Sequence, residues 1–295
     1  MSGQFKARVA QIADKGLFYT TIFLLFVPLL FSPKDPNFDD FFYEPKFRAL
    51  TVLSIFASLF LLLRLLTCKE PLKASLLDTG ALLFFGLCAI AALFSYNLSR
   101  SIYGVPFRRE GLITQLGYAA TFLSASFSLN TESRRKKFFS FLFLSALLVC
   151  AYGIAQYLGL DPVPRDRRRS DVWWKYQSFA TLANPHYFAD FVLLILPTFA
   201  FLVLVNTKLR LIIYSGFFTL SFTALVSSLC RGGYLAAFIC AILAFFLSLY
   251  LRCLHIKKVI LLLLLAALSF GVVEAYGRWR RYYSCLLYTS PSPRD

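Results

Sequence analysis

Arg231 is the residue in this sequence best placed to do chemistry, because of what surrounds it. It is the single charge in a long apolar run, 211–251, within Ser227-Ser228-Leu229-Cys230-Arg231-Gly232-Gly233-Tyr234. An arginine at bilayer depth costs roughly 3 kcal/mol on insertion scales, and less near the interface. An anionic ligand would offset that cost; the plainer alternative is that Arg231 marks the water boundary. A guanidinium is a planar fork that grips phosphate oxygens in pairs, whereas lysine acts as a point charge. Arg108, Arg109 and the cluster Arg165, Arg167, Arg168 and Arg169 are the other cations suited to that work. Their alternatives are solvation, anionic lipid headgroups or an interfacial anchor. His186 stands at an expected helix start, as a cap or interface residue, and Asp190, one turn on, could pair with it. Glu274 could meet an outer arginine, with nothing to select which. His255 falls in an expected cytoplasmic loop, and Cys230 reads as packing. The 7 cysteines show no paired spacing, so neither a metal site nor a disulfide framework is expected, and no cofactor is implied.

The elements that must position these residues are membrane helices. The chain has 295 residues, of which 58% are hydrophobic, with a formal net charge of +16. No soluble domain needs that much apolar residue. A bilayer crossing takes about 20 apolar residues, and about nine such segments can be marked. They lie at 17–31, 47–66, 76–96, 111–129, 138–158, 186–205, 211–228, 233–251 and 259–276. Arg231 then sits in the turn between the seventh and eighth, where the paired glycines allow a tight turn or a close helix contact. The fold class is an all-α polytopic transmembrane bundle. A basic balance often signals nucleic acid, but here the cations stand in short loops between spans, so no nucleic-acid partner is expected. Residues 1–16 read as a basic cytoplasmic segment, with no cleavable signal peptide after it.

With the amino terminus inside, the two faces carry equal numbers of Lys and Arg, so the positive-inside count does not decide orientation. The types do separate. The outer set is Arg48, Arg100, Arg108, Arg109, Arg165, Arg167, Arg168, Arg169, Arg231, Arg278, Arg280 and Arg281, against Lys34, Lys46 and Lys175. The inner set is richer in lysine, and its loops are short and basic, which places the amino terminus in the cytoplasm. An arginine-rich outer face beside apolar helices suits a pyrophosphate carried on a lipid.

Three stretches together resemble the O-antigen ligase and O-antigen polymerase superfamily of bacterial envelope enzymes. The first runs from Ser101-Ile102-Tyr103-Gly104 to Arg108-Arg109-Glu110-Gly111-Leu112-Ile113-Thr114. The second is Ala183-Asn184-Pro185-His186-Tyr187-Phe188-Ala189, followed by Leu193-Leu194-Ile195-Leu196-Pro197. The third is Ser228-Leu229-Cys230-Arg231-Gly232-Gly233-Tyr234-Leu235. Each is short; their order and their placement between spans carry the resemblance, which covers most of 17–276. His186 departs from the family's asparagine.

The resemblance implies a membrane-embedded, metal-independent, inverting glycosyltransferase of the inner membrane, in lipopolysaccharide or related envelope biosynthesis. Such enzymes move a glycan from undecaprenyl pyrophosphate to lipid A-core, a growing polymer or a protein hydroxyl at the periplasmic face. It implies Arg231 as the charge-stabilising arginine and Arg108, Arg109, Arg165 and Arg168 as substrate-binding cations. It also implies a histidine base in a large late outer loop. No candidate for that base is present, and residues 277–284 read as the opening of that loop. Residues 285–295 resemble translated adapter read-through, so the natural protein is expected to continue past 284. The chain is expected to bind carrier lipid weakly without transferring glycan. The rival readings are a flippase for lipid-linked oligosaccharide, and a non-enzymatic membrane protein that binds anionic lipids.

Overall fold

The computed structural model describes residues 3–32, 38–67, 75–105, 109–161, 177–250 and 255–288. Among the described residues there is no strand. The helices are α1 (Gly3–Leu24), α2 (Phe38–Thr67), α3 (Leu76–Leu93), α4 (Leu98–Tyr103), α5 (Leu112–Ser128), α6 (Glu132–Tyr157), α7 (Pro185–Val205), α8 (Lys208–Ser227), α9 (Arg231–Tyr250) and α10 (Ile256–Tyr288). Apart from the short α4, they follow the nine apolar segments in order. Among the described residues, 7 helical segments are long and apolar enough to cross a membrane: Gln4–Leu29, Phe42–Thr67, Leu76–Leu93, Glu132–Tyr157, Pro185–Val205, Lys208–Ser227 and Ile256–Arg280. The chain is an all-α polytopic membrane protein.

Polar residues share the interior with apolar ones, and many large apolar residues face outward. Buried positions include Thr20, Thr21, Ser54, Thr114, Ser124, Ser128, Ser145, Ser221 and Ser227, while Leu62, Leu83, Leu87, Phe238 and Leu264 point outward. In lipid, outward leucine and phenylalanine carry no penalty, and small residues let helices approach closely. Gly16 of α1 shows this: a Cβ there would meet the Phe60 ring of α2 at 2.6 Å.

The chain divides into two compact units, Met1–Ser145 and Ala146–Asp295, with α6 running across the boundary. In the first unit α1 packs on α2, and α5 packs on α1, α2 and α3. One end of this unit is tied by arginines that serve the carboxyl end of α5. Arg64 donates to Phe127 O (2.7 Å), Arg134 to Ser128 O (3.1 Å) and Arg135 to Leu129 O (3.3 Å). These carbonyls have no partner within their own helix, and cations there also suit the helix dipole. Asp14 of α1 joins the knot, pairing with Arg134 and with Arg64 (3.5 Å). At the other end of α2, Glu44 pairs with Arg48 (2.9 Å). Glu44 and Arg64 are twenty residues apart on one helix, roughly 30 Å at 1.5 Å per residue, which is the thickness of a hydrocarbon core.

In the second unit α7 packs against α8, α9 and α10, and α8 against α10. At the end where α7 stops, Lys258 of α10 donates to Leu204 O (2.6 Å) and Asn206 O (2.8 Å). The site described next lies at the opposite end of α7.

Several boundaries differ from the sequence reading. Residues 3–16 already form the first turns of α1, where Val9 and Ala13 continue the inward stripe and Asp14 is paired. α2 begins at Phe38, so Glu44 and Lys46 are helical, with the Lys46 ammonium donating to Leu30 O (2.6 Å) and Phe42 O (3.0 Å). α10 does not end at 276 but runs on to Tyr288, carrying Arg278 and Arg280 on a helix. The turn before α9 is made by Leu229 in the left-handed region (φ 51), and Gly232 and Gly233 lie inside the helix.

Candidate functional site

The second unit gathers two of the three motifs at one end. α6 finishes with a Schellman closure: Gly159 N–H donates to Gln156 O (3.1 Å) and Leu160 N–H to Ala155 O (2.9 Å), with Gly159 at φ 82. The described residues 177–184 are non-helical and yet buried, Ser178, Phe179, Ala180 and Thr181 almost completely. Such backbone survives at membrane depth only where protein satisfies it. Gln156 does so from both sides, accepting from Phe179 N–H (3.2 Å) and donating to Ala180 O (3.0 Å). Ser178 donates through its hydroxyl to Gly153 O (2.6 Å) and through its N–H to Ser227 O (3.1 Å).

That segment delivers the chain to α7. Asn184 caps the helix by accepting from His186 N–H (2.9 Å), and Pro185 takes the first helical position, where its missing N–H costs nothing. In the segment between α8 and α9, Ser228 Oγ accepts from Cys230 N–H (3.2 Å), and α9 opens at Arg231. A Cβ at Gly233 would lie 3.0 Å from Ala189 Cβ, so α7 and α9 touch near their amino ends. The contact is completed by Cys230 Sγ against His186 Nδ1 at 3.0 Å. Two helix amino termini therefore converge, each worth about half a positive charge. Arg231 stands exposed on the first turn of one of them, with no hydrogen-bond or ion-pair partner among the described residues.

The surrounding groups are already engaged. Arg280 donates to Tyr157 O (2.8 Å), Tyr276 to Leu158 O (3.1 Å) and Tyr157 to Val273 O (2.8 Å), which staples α10 to the end of α6. Glu274 pairs with Arg278 (3.3 Å), one turn along the same helix. Tyr234 donates to Val226 O (2.7 Å). Three non-glycine residues here, Ala180, Ala183 and Leu229, have φ of 50°, 62° and 51°. Left-handed backbone in such residues costs of order 1–3 kcal/mol and gathers at ligand clamps.

The expected sites fare differently. Arg231 is brought beside His186 and Cys230. His186 does not pair with Asp190; its ring meets Cys230, and Asp190 is exposed with no partner among the described residues. The reason is the packing of the two helix starts: the His186 ring is taken up by Cys230, just before α9, and Asp190 is left exposed. Arg109 lies in the first unit, with its Nε 3.3 Å from Glu44 Oε2 and its guanidinium 5.8 Å from the Phe47 ring. A carboxylate that Arg48 shares thus holds Arg109. Arg109 also has left-handed backbone (φ 53), and its carbonyl accepts from the Thr114 hydroxyl. Arg108, Arg165, Arg167, Arg168 and Arg169 lie outside the described residues. Among the described residues no group of 3 or more His, Cys, Asp or Glu side chains is placed to hold a metal ion.

No family model, curated protein or solved structure matches this chain.

Sequence reasoning passed over Gln156, Ser178 and Asp14. A lone amide near the end of an apolar span was the available signal for Gln156, since intramembrane polar groups are expensive and seek partners. Asp14 carried no such signal, because it sits among charges that read as a solvated terminus.

Proposed function

We propose that the second unit binds the pyrophosphate of a lipid-linked glycan at the joined amino ends of α7 and α9, with Arg231 as its principal ligand. We propose further that the binding serves glycan transfer of the O-antigen ligase kind at the outer face of a bacterial inner membrane. One observation carries the reading: Arg231 is exposed, with no partner among the described residues, where two helix amino termini meet through His186 and Cys230. Backbone N–H groups and a forked guanidinium together form an anion site. In the transfer, the bond from the anomeric carbon to the pyrophosphate oxygen breaks, and its electron pair leaves with the pyrophosphate. The acceptor hydroxyl oxygen bonds to that carbon from the opposite face and gives up its proton to a general base. A fixed positive site stabilises the leaving charge most where water is scarce. The resemblance of the motifs supports the enzyme class, and the buried, hydrogen-bonded 177–184 segment supports a preorganised site.

The test is binding of undecaprenyl pyrophosphate to the full chain in nanodiscs. Arg231→Gln is expected to weaken binding about tenfold or more, the loss of one charge-assisted contact. Arg231→Lys keeps the charge but loses the fork, and is expected to weaken binding measurably. Equal binding by wild type and Arg231→Lys, with phosphatidylglycerol competing as well as the pyrophosphate, would favour a plain anionic-lipid protein and sink the proposal.

A further inference from the structure

A second site is built into the first unit, from residues not used above. Between the end of α3, the short α4 and the start of α5 lies an open cleft of about 470 Å³, within the size range of small-molecule sites. Its polar wall holds Arg100, Glu110 and Gln115; its apolar wall holds Ala91, Ala92 and Leu112. Arg100 and Glu110 face one cleft but do not form an ion pair, and neither side chain, nor that of Gln115, has a partner among the described residues. Other groups here are spent: Ser101 donates to Ser95 across the floor (2.5 Å), and the Asn97 side chain caps α4 by accepting from Arg100 N–H (3.1 Å).

The height of the cleft is marked by its neighbours. Phe94, Tyr96 and Tyr103 are exposed around it, as aromatic residues are at the headgroup level of a bilayer. Directly along α3 from the apolar wall, Leu83, Leu87 and Ile90 are exposed, a surface for an acyl chain. The geometry points to a phospholipid with a zwitterionic headgroup. Its phosphate would meet Arg100, and a primary ammonium would meet Glu110 and the Gln115 carbonyl. A purely anionic headgroup would bring its charge against the Glu110 carboxylate. A choline headgroup has no N–H to donate. Phosphatidylethanolamine is the chemistry that fits both walls.

The experiment reconstitutes the full chain in nanodiscs of equal phosphatidylethanolamine, phosphatidylcholine and phosphatidylglycerol. The lipids retained after mild detergent extraction are then counted by native mass spectrometry. Wild type is expected to retain phosphatidylethanolamine above the other two. Glu110→Gln is expected to lower its preference over phosphatidylglycerol about threefold, the size of one partly screened ion pair. Arg100→Gln is expected to lower retention of all three lipids by a similar factor. Both positions are exposed, so both variants should fold, and unchanged melting checks it. Equal retention of phosphatidylethanolamine and phosphatidylglycerol by wild type would overturn the proposal, as would an unaltered preference in Glu110→Gln. Displacement of the lipid by millimolar glycerophosphoethanolamine, the headgroup without chains, would overturn a lipid as the ligand.

Discussion

Replacing Gln156 by leucine removes the amide that holds residues 177–184 against α6. The side chain is 1% exposed, so water is not at hand to replace it. Two backbone groups lose the Gln156 amide as a partner, Phe179 N–H and Ala180 C=O. A buried polar group left unsatisfied costs about 1–3 kcal/mol, so the pair is worth about 2–6 kcal/mol. Leucine has a similar volume and recovers part of this through apolar burial. The Ser178 hydrogen bonds to Gly153 and Ser227 remain. The expected net loss is about 2–4 kcal/mol. At about 2–4 °C per kcal/mol for a chain of this size, the melting temperature in detergent should fall by roughly 5–15 °C. Gln11→Leu, at an exposed amide on α1, is the matched control and should melt with wild type. Because Ser178 and Asn184 flank the proposed anion site, Gln156→Leu should also weaken undecaprenyl pyrophosphate binding. A melting temperature within about 2 °C of wild type, or an equal fall in Gln11→Leu, would show that the buried segment is not held in this way.

Other outcomes follow from close contacts and paired charges. A Cβ at Gly153 would meet Cε1 of the Phe188 ring at 2.7 Å, so Gly153→Ala should destabilise by about 1–3 kcal/mol in thermal melts. Adding Phe188→Leu should restore part of that loss, and absence of any rescue would place the strain elsewhere. Asp14→Asn leaves Arg64 and Arg134 without their carboxylate while their carbonyl contacts remain. All three side chains are largely but not fully buried, so a loss of about 1–2 kcal/mol is expected, below the range for a fully buried pair. Unchanged chemical denaturation of Asp14→Asn would show the knot to be ornamental.

What the sequence determined by itself was the set of helices. Each needs only its own apolar run and its own ends: Asn184-Pro185 starts α7, Ser75 and Asp78 form a capping box on α3, and Gly159 closes α6. These are local effects, and they place Arg231 at a helix end whatever surrounds it. Tertiary structure alone decided which faces meet. In a soluble helix the core face is the apolar face, so periodicity reveals it. In lipid the outward face is just as apolar, and the inward face is marked by scattered Ser, Thr, Gly and Ala, which carry no period to read. For that reason the pairing of His186 with Cys230 rather than Asp190, the engagement of Arg109 by Glu44, and the burial of 177–184 under Gln156 appear only when the helices are packed.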